Sequence, residues 1–477
     1  MNWKKLTVRA ASIAYGMLNL GIFVLLATLD GSTFRKPSDK AKKELAAATH
    51  RLWGLTAQPN GIKHHFHTLS DGTKLHYVTA EPAKTARNLI IFLHGFPDSW
   101  AMWKYHLSST KLSSDSTLVA LDLPGYGGSD DLPEYDATNM LEAVTQFILD
   151  MKATYIHAKA DSPMEKGRVI LVCHDWGAVI GFRLASEAPQ VADRFILASA
   201  VHPALAIANI KTRWTTVVQM LRTWKHRPRS VKLLKKAAAS LSPLLRQLKK
   251  SGYIFVFNLP APIANAFGPL GNYWFMRLTH ELAAEGKKYL LESREAAEMM
   301  AGSLGPSIEE CSSPMTKVMA YPPAVKQRAP TGGWSSKIRI YRDGLLTKSW
   351  TKSMDTLWSL TQEEQSESLA KRRRSSAGAA LFDSGPEGSL KAKVTVLWGS
   401  KDPAGEARVA LEGIEDYMSR DSQVLVLDGT GHWMPVEKNG KLVIEEIVKW
   451  AADGERTKLR ELIKQEDMQS VKLMAER

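Results

Sequence analysis

Apolar and polar positions along the chain change their period several times, and each change marks a different kind of element. Residues Ala10 to Leu29 run for twenty positions without a charge. At about 1.5 Å per residue, a helix of that length matches a hydrocarbon core. A polar, Lys- and Ala-rich stretch follows, read as a partly helical stalk over 31–60. Short apolar runs then alternate with longer helical patterns. The strand-like runs are Ile62–Leu69, Lys74–Thr79, Asn88–Leu93, Thr117–Asp122, Arg168–Val172 and Arg194–Ala200. The Ser70-Asp71-Gly72-Thr73 turn joins the first two as a hairpin. Thr138–Lys152 and the stretch after Trp176 read as helices. Such alternation predicts a mostly parallel sheet with helices on both faces.

The alternation stops near His202 and resumes only near Lys391. The intervening stretch is rich in Pro, Trp and Leu and reads as mainly helical. It is therefore an insertion after the sixth strand, divided into a helical cap over 202–361 and a mobile linker over 362–390. The linker contains the run Lys371-Arg372-Arg373-Arg374. The core, whose first part covers 61–201, resumes over 391–453. There Val394–Trp398 and Val424–Leu427 are strands, and Ala407–Ser419 and Leu442–Ala451 are helices. Residues 454–477 read as a charged terminal helix.

Charge sharpens this picture. The formal net charge is +14, yet from Arg194 to His280 there is no Asp or Glu against fourteen Lys and Arg. A basic field confined to the cap suits an anionic surface such as a membrane. No nucleic-acid-binding motif accompanies it, so nucleic acid is not an expected partner. Val231, Leu234, Ala238, Leu241, Leu245 and Leu248 share one helical stripe largely surrounded by lysines and arginines. That stripe either meets the membrane surface or packs inside the cap. The two cysteines, Cys173 and Cys311, provide no disulfide framework, and no Asn-X-Ser/Thr sequon occurs.

The twenty-residue run is long for a signal-peptide core, and no small-x-small cleavage site follows it. Residues 1–30 are therefore expected to be a single-pass membrane anchor. Lys4, Lys5 and Arg9 precede the run, and Arg35, Lys36, Lys40, Lys42 and Lys43 follow it. That balance puts the catalytic side in the cytosol, with the endoplasmic reticulum as the expected membrane.

Candidate chemistry centres on Arg168–Gly181. A buried-strand pattern there runs into a helix through Cys173-His174-Asp175-Trp176-Gly177. This is the strand–turn–helix setting of a nucleophile elbow, with small residues two before and two after the central position. Asp175 stands where a Ser is usual. A carboxylate nucleophile forms an ester by displacing a carbon–oxygen or carbon–halogen bond. An Asp that merely caps the helix is the plain alternative. Asp402 and His432 follow at the ends of later strand segments, giving the order nucleophile, acid, base. Asp402 before Pro403 also fits simple turn initiation, and His432 a buried structural histidine.

Four blocks carry a family resemblance: His94-Gly95-Phe96-Pro97, His174-Asp175-Trp176-Gly177, Trp398-Gly399-Ser400-Lys401-Asp402-Pro403 and Gly431-His432-Trp433. Together they resemble the epoxide hydrolases of the α/β-hydrolase fold, over roughly Gly61 to Lys449. The resemblance implies that fold, a small lipophilic epoxide substrate, a vicinal diol product, and no metal or organic cofactor. It implies Asp175 as nucleophile, Asp402 as orienting acid and His432 as base. Backbone N–H groups of Phe96 and Trp176 would stabilise the oxyanion. Two cap tyrosines protonate the leaving oxygen in that family. Tyr253, in Tyr253-Ile254-Phe255-Val256-Phe257-Asn258-Leu259-Pro260, resembles the first. Tyr341, in Tyr341-Arg342-Asp343, resembles the second, although Asn is more usual at the third position. Tyr273, Tyr289 and Tyr321 compete for these roles. Phe255, Phe257, Trp274 and Phe275 would line a lipophilic pocket. His94 and Asp122 would be structural supports.

Two other readings share these residues. A haloalkane dehalogenase uses the same Asp and Trp176, but Phe96 stands where one arrangement needs a halide-binding Asn, and the tyrosines have no task. A non-catalytic, membrane-tethered member of the fold would not need the complete triad.

Overall fold

The computed structural model describes residues 3–31, 34, 36–57, 61–80, 86–156, 167–285, 293–313, 315–316, 319–372 and 385–477. Nine strands form one sheet: β1 (Lys63–Thr68), β2 (Lys74–Thr79), β3 (Asn88–Leu93), β4 (Ser116–Leu121), β5 (Val169–His174), β6 (Arg194–Ala198), β7 (Val394–Gly399), β8 (Gln423–Leu427) and β9 (Val471–Glu476). Their spatial order is β1-β2-β4-β3-β5-β6-β7-β8-β9. All pairs between β4 and β8 are parallel. The β1–β2, β2–β4 and β8–β9 pairs are antiparallel.

The central strands are apolar on both faces because both faces are covered. In β3, Leu89, Ile91 and Leu93 join the cluster that holds Met140, Val144 and Phe147 of helix α3 (Ala137–Tyr155) and Ile180 of helix α4 (Trp176–Glu187). Ile90 and Phe92 point the other way, into the cluster with Val443, Ile444 and Ile447 of a later helix, Lys438–Ala452. This strand alternation fixes register, since a one-residue slip would exchange the two faces.

The C-terminal segment departs from expectation. Residues 454–477 are not one helix; a single α-helical turn at Leu459–Leu462 gives way to β9, which extends the sheet edge. Val471, Leu473 and Ala475 alternate with Lys472, Met474 and Glu476, and this two-residue period governs the outcome. The stretch read as a mobile linker also departs. A helix runs continuously over Met354–Arg372, so the beginning of that stretch is helical. Residues 373–384 lie outside the described residues.

Between β6 and β7 the chain forms a helical layer over the carboxyl ends of the strands. Its long helices are α5 (Pro203–His226), α6 (Val231–Lys250) and α8 (Leu270–Ala283), with the short α7 (Gly252–Phe257) between the last two. Helix α9 (Arg294–Leu304) follows α8 in this layer. Residues Gly271 to Tyr273 have left-handed backbone angles, so the regular turns of α8 begin after them.

At the amino end, helix α1 spans Trp3–Leu29, and its Leu6–Leu29 portion is long and apolar enough to cross a membrane. One stripe of α1 packs on the cap: Gly16 and Asn19 are buried, and Phe23 is half-buried against α8. Met17, Leu18, Ile22, Leu25 and Leu26, on the remaining surface, are exposed. Helix α2 (Asp39–Trp53) is not a stalk that holds the body away. It lies along α9, and Trp53, fully buried, donates its indole N–H to the Ala301 carbonyl at 2.9 Å.

Candidate active site

Asp175 occupies the sharp turn between β5 and α4 with φ 51° and ψ −119°. That is a strained conformation for a non-glycine residue. Its carboxylate makes no capping bond to the helix that follows, so capping does not account for it. The turn closes because residue 177 is Gly: a Cβ there would lie 2.5 Å from the His94 carbonyl oxygen. The strain turns the carboxylate away from its own helix and over the end of the sheet.

One oxygen of Asp175, Oδ1, accepts the Phe96 N–H at 2.8 Å. The other, Oδ2, lies 3.6 Å from His432 Nε2. Across the ring, His432 Nδ1 is 2.9 Å from Asp402 Oδ2. Asp402 also accepts the N–H groups of Ala404 and Gly405 on Oδ1, at 2.7 and 2.9 Å. It therefore initiates the turn before Pro403 and orients His432 with its other oxygen. The His432 carbonyl meets His174 Nε2 at 2.8 Å, which anchors the histidine loop to β5.

The electrostatics follow from this arrangement. Burial opposes charge on His432, but the Asp402 carboxylate with its hydrogen bond and the nearby Asp175 carboxylate outweigh it and raise its pKa well above the ordinary value. Burial likewise opposes ionisation of Asp175, yet His432 and the Phe96 N–H hold its pKa below the usual carboxylate range. Asp402 is lowered against burial by His432 and its turn N–H groups. The triad is thus an imidazolium between two carboxylates.

The cavity above this triad has a volume of about 530 Å³. Asp175 and His432 lie on its floor, and Tyr253 and Tyr341 on its wall. The two tyrosine rings are 5.9 Å apart, and Tyr341 stands edge-on to Trp176 at 4.7 Å. Burial and the Asp175 charge raise the pKa of Tyr253. For Tyr341, burial, Tyr253 and Asp175 raise it. Both are protonated phenols at neutral pH. Asp343 pairs with Arg339 at 2.9 Å and accepts the Tyr135 N–H, so the unusual third residue of that block is engaged elsewhere. Tyr321 donates to the Trp53 carbonyl and belongs to another region. Tyr273 is half-buried and packs against the core, and Tyr289 lies outside the described residues.

The expected lining is corrected in part. Phe275 lines the cavity. Phe257 sits one layer behind, with its ring 5.3 Å from Phe96 and 5.2 Å from Tyr341. Phe255 points away from the cavity, against Tyr15 of α1 at 4.9 Å. Trp274 also faces α1, 6.2 Å from Phe23, because the left-handed turn before it sets the phase of α8. Sequence reasoning missed Phe23, Leu278, Thr279 and Leu282, which line the cavity. The i, i+4 spacing of Tyr15, Asn19 and Phe23 within an otherwise aliphatic run is the signal that marks a packed face.

His94 and Asp122 are supports. The Leu123 N–H donates to His94 Nε2 at 3.0 Å, and Asp122 accepts the Trp100 and Gly128 N–H groups at 2.7 and 2.9 Å. Among the described residues, no group of three or more His, Cys, Asp or Glu is placed to hold a metal ion.

The model of the family described as "Alpha/beta hydrolase family" matches residues 90–309. Epoxide hydrolase 4 of Mus musculus is 29% identical over 194 residues, which is 41% of this chain and 50% of that protein. Epoxide hydrolase 3 of Mus musculus is 32% identical over 130 residues, 27% of this chain and 32% of that protein. Residues 90–309 thus match the α/β hydrolase family, and both curated relatives are epoxide hydrolases. It spans half or less of the length of these two curated relatives. Among solved structures, the chain is similar to an epoxide hydrolase variant from Bacillus megaterium complexed with its diol product. That pair has a TM-score of 0.47 and 20% identity over 81% of this chain and 99% of the other. The Cif epoxide hydrolase from Acinetobacter nosocomialis gives a TM-score of 0.46 and 16% identity over 89% and 98% of the two chains.

Proposed function

We propose that the protein converts a small lipophilic epoxide to a vicinal diol through an ester on Asp175. The observation that carries this reading is that Asp175 and two protonated phenols border one apolar-walled cavity. Asp175 Oδ2, the oxygen not held by Phe96, attacks an epoxide carbon. The carbon–oxygen bond breaks, and Tyr253 or Tyr341 protonates the departing alkoxide. Oδ1 becomes the ester carbonyl oxygen. His432, oriented by Asp402, then takes a proton from water, which adds to the ester carbon. The negative charge collects on Oδ1, where the Phe96 N–H already points and the Trp176 N–H opens α4. Losing one such donor typically costs about 3 kcal/mol of barrier. The phenolate recovers its proton from His432 once the ester has formed, which frees the imidazole to act as that base. Collapse of the tetrahedral intermediate releases the diol and leaves His432 protonated as in the free enzyme.

Loss of charge on Asp175 explains how His432, protonated in the free enzyme, becomes the base of the second half of the cycle. In the free enzyme His432 faces two carboxylates and is held protonated. Esterification removes one of them, so its pKa falls and it becomes a base when water must be activated.

The experiment is a single turnover in water labelled with heavy oxygen, followed by mass spectrometry of the Asp175 peptide. One labelled oxygen in that carboxylate, and a transient adduct of epoxide mass, are expected. Halide release from haloalkanes with no epoxide turnover would favour the dehalogenase reading. Absence of turnover and of adduct would favour a non-catalytic tether.

For location, the proposal is that α1 holds the protein at the endoplasmic reticulum membrane through its exposed apolar surface, with the catalytic body in the cytosol. Support comes from the exposed apolar surface of α1 and from α6. In α6, Val231, Leu234, Leu245 and Leu248 are exposed among the lysines, which favours contact with anionic lipid over packing within the cap. Reversing the charge of Lys232, Lys235 and Lys236 in the full chain should weaken salt-sensitive binding to anionic vesicles. Unchanged binding would remove the lipid contact.

A further inference from the structure

The N-terminal helix is seated on the cap more closely than a tether requires. A Cβ on Gly16 would lie 2.7 Å from the Phe255 carbonyl oxygen, and one on Gly252 would lie 2.2 Å from Asn19 Oδ1. Two glycines therefore let α1 and the start of α7 approach backbone to side chain. Tyr15 Oη donates to the Leu248 carbonyl at 3.1 Å, which ties α1 to the end of α6. Asn19, only 8% exposed, is the polar side chain in this seam, and its amide donates to the Tyr15 carbonyl at 2.8 Å.

These contacts fix the axial position and rotation of α1, and so fix Phe23 one turn beyond Asn19. Phe23 lies 5.9 Å from Phe275 and 5.7 Å from Phe267, and it lines the same cavity as Asp175 and His432. Phe23 and Phe275 together with Leu278 and Leu282 of α8 make one apolar wall. An anchor acting only as a tether needs apolar surface all round and no register with the cap.

From the seam and the shared cavity we infer that α1 is a wall of the substrate cavity and that Phe23 is a specificity-determining residue. It limits the size of the lipophilic group carried by the epoxide. This rests on the epoxide reading given above. The helix thereby has two jobs on two faces: the inner stripe shapes the site, and the outer surface is left for lipid. Any change that unseats α1 opens the cavity along its length.

The test uses the full chain with Phe23→Trp, Phe23→Leu and Phe23→Ala, and with Val24→Ala, on the exposed side of α1, as the control. Styrene oxide and the bulkier stilbene oxide are compared as substrates. The ratio of kcat/KM for the bulky over the small epoxide should fall at least about fivefold in Phe23→Trp and rise in Phe23→Ala. Phe23→Leu should fall between wild type and Phe23→Ala, and Val24→Ala should keep the wild-type ratio. A ratio within about twofold of wild type in every Phe23 variant would overturn the inference. If the wild type turns over neither epoxide, the epoxide reading fails by itself. The wall is then read from binding of a lipophilic naphthylamine probe by fluorescence polarisation. A Kd changed at least about fivefold by Phe23→Trp but not by Val24→Ala upholds it, and equal affinities overturn it.

Discussion

Lys250, at the end of cap helix α6, donates through Nζ to the main-chain oxygen of Asp402 at 2.6 Å. The same ammonium reaches the Gly405 carbonyl. One turn earlier, Gln247 accepts the Glu406 N–H at 2.7 Å and donates to the Ala404 carbonyl at 3.1 Å. Arg246 adds an ion pair with Glu406 at 2.9 Å. The cap thus grips the loop from which Asp402 reaches His432, and the alignment of the acid depends on a helix inserted far away in sequence.

Lys250→Met should expose this dependence. In the proposed cycle the alkylation step needs only Asp175 and a phenol, whereas hydrolysis needs His432 held by Asp402. The variant is expected to form the ester at near the wild-type rate and hydrolyse it about tenfold more slowly, a barrier increase of about 1.4 kcal/mol. Rapid-quench mass spectrometry would then find the adduct on Asp175 accumulating. Equal slowing of both steps would make Lys250 a general packing residue rather than a positioning one.

Gly95 offers a sterically sharper case. A Cβ there would lie 2.3 Å from Asp175 Oδ1 and 2.5 Å from its Cβ. Gly95→Ala must push the carboxylate off the Phe96 N–H, and kcat should drop about 10²-fold or more. Because Asp175 Cβ cannot rotate away, the elbow backbone must shift as well, so a lower melting temperature by circular dichroism is expected beside the loss of turnover. Wild-type turnover in this variant would mean that the Phe96 contact is not used.

How far the chain could be read before folding depends on where the signal lies. Asp175 was legible because an elbow needs small residues at fixed offsets, and Cys173 and Gly177 supply them locally. Asp402 and His432 were legible through their order and their places at strand ends. Phe255 was misplaced because α7 has only six residues, too few for periodicity to fix which side faces the cavity. The β9 strand was hidden by flanking charges that resemble an amphipathic helix, and only the pairing with β8 distinguishes the two. Phe23 was read for its hydrophobicity alone, although the i, i+4 spacing of Tyr15, Asn19 and Phe23 sets one face of the run apart from its aliphatic remainder. The grip of Lys250 on the Asp402 loop has no sequence signal, because its two ends lie 152 residues apart.

The two steps should separate with pH. Asp175 has its pKa held below the usual carboxylate range, so it is ionised throughout the neutral region. Alkylation measured in single turnover should be flat from about pH 6 to 9. In the proposed cycle hydrolysis requires neutral His432, whose pKa is raised while Asp175 is charged and would fall once Asp175 is esterified. Its rate should therefore rise with pH and level off above the pKa of the ester form. In Asp402→Asn the remaining carboxylate partner is gone, so the inflection should move to lower pH while the plateau drops. An inflection that stays in place would show that Asp402 does not control the proton on His432.

Away from the site, the sheet is pinned by a buried ion pair with its own pH signature. Arg194 in β6 is fully buried and binds Glu455 through Nε at 2.9 Å and Nη2 at 2.8 Å. It also donates to Thr395 Oγ1 in β7 at 2.9 Å and stacks on Trp450 at 4.8 Å. Burial works against ionisation of Glu455, but the hydrogen bonds and charge of Arg194, with the charge of Arg168, bring its pKa down to about 2. A carboxylate depressed in the folded state contributes stability above its unfolded pKa and loses it as pH falls through the folded one. Here that contribution is complete above about pH 4.5 and fades between there and about pH 2. It amounts to about 3 kcal/mol at neutral pH. Glu455→Gln removes the charge and leaves the Arg194 guanidinium buried without its counter-ion, so about 3–5 kcal/mol should be lost at pH 7. Urea unfolding at pH 7 and pH 3 would measure both effects. The gap between wild type and variant should narrow at pH 3, because the wild type alone loses the Glu455 contribution there. A gap of constant size would mean that the glutamate acts through packing and not through its charge.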